Sequence, residues 1–253
     1  MAQAVAQQHL TPTTEALLRW WFDPQGIVPR GGLCFNGRQR QAILDTVTAH
    51  EALDRAALEQ QRPVHRLDLT LGQDQLQVLL ALLVWQLLNS HRARDAGIDD
   101  ARFTRHFILV GHHAPIRERL FCALHGAPSD ATGARDFHTS DLVQQAAMLI
   151  PPRHRSEVFD FVRTHLRPAG QPPVQTEGVG VIVICDGRVD ALENLARLRH
   201  AMLFDDETRP PYWPRGEDGA QAMAWCRQLR RFATARRGHG VQVVFTERPG
   251  GRG

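Results

Sequence analysis

The sequence predicts an α/β fold in which a doubly wound, mainly parallel β-sheet carries helices on both faces. Three observations lead to this expectation. First, residues 64–71 alternate apolar and polar side chains as a half-buried strand does, Gly72 breaks the run, and residues 75–89 are apolar around most of a helical circumference. A helix of that kind is buried, and strand, glycine turn and buried helix together form the opening unit of a parallel sheet. Second, short apolar runs recur at 107–110, 179–185, 202–204 and 241–245, separated by stretches of helical periodicity, the pattern of a doubly wound sheet. Third, prolines and glycines cluster at 151–152, 167–174 and 210–214, where they punctuate the chain as loops.

The elements follow in order. From Thr13 the segment Thr-Glu-Ala-Leu-Leu-Arg-Trp-Trp-Phe reads as a short capped helix that ends before Pro24. A glycine- and proline-rich connection leads to a second helix near Gly37, in which Ala42, Ile43, Val47 and Leu53 fall close to helical spacing. After the first strand and the buried helix, further helices are expected over 115–125, 140–149, 156–166, 188–198 and 219–236. No internal repeat is present. Residues 1–60 read as N-terminal helices and 61–253 as the α/β lobe, with room for a helical insertion over 127–174, so the chain is effectively one domain.

Composition sets outer bounds. At 253 residues and 43% hydrophobic content the chain can bury one large core. Its longest purely apolar run, 78–85, is far shorter than the roughly 18 to 20 residues that cross a bilayer. Residues 1–10 lack the cationic start and apolar core of a secretory signal, so cytoplasmic residence and no membrane association are expected. Cys34, Cys122, Cys185 and Cys226 form no C-x-x-C pair and read as reduced thiols. His112 and His113 are adjacent on a strand end and point to opposite faces, so they do not make a metal pair and no metal site is expected. All 30 basic residues are arginine, with no lysine anywhere. Arginine suits bidentate recognition of phosphate, although most of these residues are spread singly along helices.

Several segments carry a resemblance. They are Phe35-Asn-Gly-Arg-Gln-Arg-Gln-Ala-Ile43, Leu69-Thr-Leu-Gly-Gln-Asp-Gln-Leu76, Phe107-Ile-Leu-Val-Gly-His-His-Ala-Pro115, Arg135 to Asp141, Ile150 to Val162, Met202-Leu-Phe-Asp-Asp-Glu-Thr-Arg209 and Val241 to Pro249. In this order they resemble the first, RecA-like motor lobe of DEAD/DEAH-type superfamily 2 helicases, in particular the helicase part of the restriction subunit of type III restriction enzymes. The resemblance covers the chain from about Leu10 to Gly253. It implies that Gln39 reads adenine, that Gly72 and Gln75 belong to the phosphate loop, and that Asp206 and Glu207 are the acidic box that holds magnesium and orients the attacking water.

The phosphate loop departs from the pattern. Its chemistry needs glycine for close backbone approach, lysine to neutralise the β and γ phosphates, and a hydroxyl for magnesium. Here Asp74 stands at the second glycine, Gln75 at the lysine and Leu76 at the hydroxyl position. Asp74 faces a polyphosphate with a like charge, which at about 4 Å costs on the order of 1 to 4 kcal/mol. Thr246-Glu247-Arg248 replaces the Ser-Ala-Thr box, and Thr208-Arg209 follows the acidic pair in place of Ala-His.

The expected function is that of a degenerate lobe that does not hydrolyse ATP and serves as a DNA- or protein-binding scaffold in a restriction or defence setting. Arg227, Arg230, Arg231, Arg236 and Arg237 are the expected nucleic-acid contacts, since five arginines in eleven residues is the densest basic stretch. The partners implied are DNA and a second helicase lobe, a methyltransferase or a nuclease chain. No cofactor is expected, or ATP with magnesium if the nucleotide site survives. The alternatives are a nucleotide sensor or weak ATPase, and a decayed remnant.

Overall fold

The computed structural model of the chain describes residues 10–22, 35–61, 63–69, 73–110, 154, 166–167, 181–185, 201–206, 220, 224 and 240–246. Contacts divide the chain into two compact units, one of residues 1–53, 76–103 and 118–164, the other of 54–75, 104–117 and 165–253.

The first unit is helical. Helix α1 spans Pro12–Phe22. Thr11 caps it, accepting from the Thr14 backbone N–H at 3.2 Å, and Pro12 takes the first helical position, where its missing N–H costs nothing. Helix α2, Gly37–Glu51, opens on a capping box: the Asn36 side chain accepts from Gln39 N–H at 2.9 Å while the Gln39 side chain accepts from Asn36 N–H at 2.8 Å. Ile43 and Val47 on its inner face are fully buried. The helix stops at Glu51, so Leu53 lies beyond it. Asp54 then caps a short helix, α3, Arg55–Gln61, which belongs to the second unit and which apolar spacing does not reveal.

Helix α4, Gln73–Asp95, carries an unbroken buried stretch from Gln77 to Ser90. It runs further than the apolar segment predicts, because its last turn is polar and is closed by local pairs such as His91 with Asp95 at 3.5 Å. It ends in a Schellman motif: Ile98 N–H donates to Ala93 O and Gly97 N–H to Arg94 O. Gly97 has φ +68°, a left-handed conformation in which a side chain would be strained.

The second unit contains a six-stranded, all-parallel sheet of β1 (Val64–Asp68), β2 (His106–Val110), β3 (Leu166–Arg167), β4 (Val181–Cys185), β5 (Ala201–Asp206) and β6 (Gly240–Thr246). Their order across the sheet is β1-β6-β5-β2-β4-β3. Strand β1 ends at Asp68, which pairs with Thr246, the last residue of β6; of the expected 64–71, Leu69 lies beyond the strand and residues 70–71 lie outside the described residues. Leu166 and Arg167, expected as a helix end and a loop, form strand β3 by pairing with Ile182 and Val183. Leu67, Phe107, Met202, Phe204, Val243 and Val244 are buried in the sheet, and the Phe107 and Phe204 rings stack at 6.4 Å. Ala220 and Ala224 are helical and exposed. The helices expected over 115–125, 140–149 and 188–198, most of those over 156–166 and 219–236, and the insertion over 127–174 apart from His154, Leu166 and Arg167, lie outside the described residues.

Candidate functional site

The candidate site is the carboxyl edge of the sheet, because open parallel sheets bind ligands beyond the carboxyl ends of their strands. Register defines what stands there. Leu67, Phe245 and Asp206 form one row across β1, β6 and β5, and Asp68 and Thr246 stand one residue further on. One row further in, Cys185, Val110 and Asp205 align across β4, β2 and β5. Strands β1 and β5, which precede the segments expected as phosphate loop and acidic box, therefore end within one residue of each other. One intervening strand separates them, a span of about 10 Å at the usual strand spacing.

Asp206 is the last residue of β5. Glu207, Gly72, Arg227, Arg230, Arg231, Arg236, Arg237, His112 and His113 lie outside the described residues. Gln75 is in the first turn of α4 and is 6% exposed. Its Nε2 donates to the backbone carbonyl of Leu69 at 3.5 Å, the outer limit of a hydrogen bond. The Gln75 side chain, expected at the lysine position of a phosphate loop, thus turns back onto Leu69, the residue that follows β1.

Gln39 belongs to the helical unit and is 1% exposed. Its Oε1 accepts from Asn36 N–H in the capping box and its Nε2 donates to Gln77 Oε1 at 2.8 Å. An adenine reading this amide would have to compete with both bonds.

No protein-family model, no curated protein and no solved structure matches the chain. Among the described residues, no group of three or more His, Cys, Asp or Glu side chains is placed to hold a metal ion. Among them, too, no helix is long and apolar enough to cross a membrane.

Sequence reasoning missed the most developed polar arrangement among the described residues, which lies inside the helical unit. Glu51 Oε2 accepts from Thr11 N–H at 2.7 Å, and Oε1 accepts from Trp85 Nε1 at 2.9 Å and from the Thr14 hydroxyl. Asn89 donates to Thr14 Oγ1 at 2.9 Å and accepts from Thr11 Oγ1. Burial pushes the Glu51 carboxyl above its usual range, against the donors from Thr14, Trp85 and Thr11 and the charge of Arg102, which act in the opposite direction. Beside it, Arg102 holds both Asp100 oxygens, at 2.9 and 2.7 Å, and donates to Glu51 O at 2.9 Å. Burial raises the Asp100 carboxyl, but the hydrogen bonds and charge of Arg102 outweigh it and hold the group below the usual carboxylate range. His50 Nε2 lies 2.6 Å from Arg102 O and 3.2 Å from Gln86 Nε2. The signal available in the sequence was the interruption of an apolar helix by Gln86 and Asn89, polar groups that burial obliges to find partners.

Proposed function

We propose that the chain is a non-hydrolysing relative of the first RecA-like lobe of superfamily 2 helicases, of the type III restriction kind, and that it serves as a binding scaffold for DNA in a restriction or defence complex. The observation that carries this reading is Gln75. At the position where the resemblance requires an ammonium group on phosphate, the side chain is buried and bonded to Leu69 O. Asp74 and Leu76 flank it, and the chain has no lysine to supply the grip from elsewhere. The parallel strand order supports the fold side of the reading, since the ends of β1 and β5 flank β6 on one edge.

In this reading the acidic pair Asp206-Glu207 is a remnant, the arginines of 227–237 contact phosphates, and a second lobe, methyltransferase or nuclease chain completes the complex in the cytoplasm. Two titrations test it. Calorimetry with magnesium-ATP is expected to give no heat of binding. Anisotropy of a labelled duplex is expected to show binding at about 50 mM salt that weakens steeply by about 200 mM, as counterion release requires. Replacing Arg230 and Arg231 with alanine lowers that affinity and its salt slope. Binding of ATP without binding of DNA would replace the scaffold with a nucleotide sensor, and silence toward both would leave neither.

A further inference from the structure

We draw no further inference here: the strongest candidate, the buried side-chain cluster of Thr11, Thr14, Glu51, Trp85 and Asn89 where α1, α2 and α4 meet, is hydrogen-bonded within itself and belongs to the packing already described, and nothing among the described residues shows a ligand or partner that it would meet.

Discussion

Replacing Trp85 with phenylalanine tests whether the buried polar cluster holds the helical unit together. Trp85 is fully inaccessible, and its indole N–H is shared between Glu51 Oε1 at 2.9 Å and Thr14 Oγ1 at 3.0 Å. Phenylalanine removes that donor from a carboxyl group whose other donors among the described residues are Thr11 N–H and the Thr14 hydroxyl. A hydrogen bond to a charged group contributes about 1.5 to 3 kcal/mol. The smaller ring also leaves a void and loosens the edge contacts of Trp85 with His50 at 5.1 Å and Phe103 at 5.9 Å, which adds about 1 kcal/mol at about 24 cal/mol per Å³. The expected loss is therefore about 2.5 to 4 kcal/mol, a large part of the 5 to 15 kcal/mol typical of a folded domain. Urea unfolding followed by far-ultraviolet circular dichroism measures it without relying on the fluorophore that was removed. In a Glu51→Gln background the cost of Trp85→Phe should shrink, because the acceptor no longer carries charge. A loss below about 0.5 kcal/mol for Trp85→Phe would mean that the indole N–H contributes nothing and that the reasoning is wrong.

Three further outcomes are expected. The raised Glu51 carboxyl makes the native state hold a proton to higher pH than the unfolded chain, so stability declines as pH climbs from the ordinary carboxylate range, about 4, through the folded value. Glu51→Gln should lack that decline in urea midpoints measured across pH. Asp100 acts with the opposite sign: its stabilisation is present above the ordinary value and is lost as pH falls through its depressed folded value, so Asp100→Asn should flatten the acid limb of the same series. Asn36→Ala removes the acceptor half of the capping box and should cost about 0.5 to 2 kcal/mol by thermal or urea unfolding, and a neutral result would remove the cap from the account of α2.

The mixture of legible and illegible features follows their range along the chain. The burial of α4 was readable from the unbroken run around Val78 to Trp85, because apolar residues on every side of a helix leave no face for water. The start of α1, expected at Thr13 and found at Pro12, was readable from its local capping pattern. The edge pairing of Leu166 was not, since a two-residue strand has no period of its own and exists only against Ile182. The sheet-edge residues were marked in the sequence by their strand ends, but only register shows that the row through Asp206 also holds Leu67.

By itself the sequence determined the absence of lysine, the Asp74-Gln75-Leu76 substitution, the apolar character of α4 and most strand positions, all of which are composition or short-range pattern. Tertiary structure alone decided where the polar groups of Gln39, Gln75, Glu51 and Arg92 find their partners. Those partners lie as far as 38 residues away for Gln39 and 62 for Arg92. A buried polar group takes whichever partner packing brings within about 3 Å, and no local pattern in the chain encodes that distance.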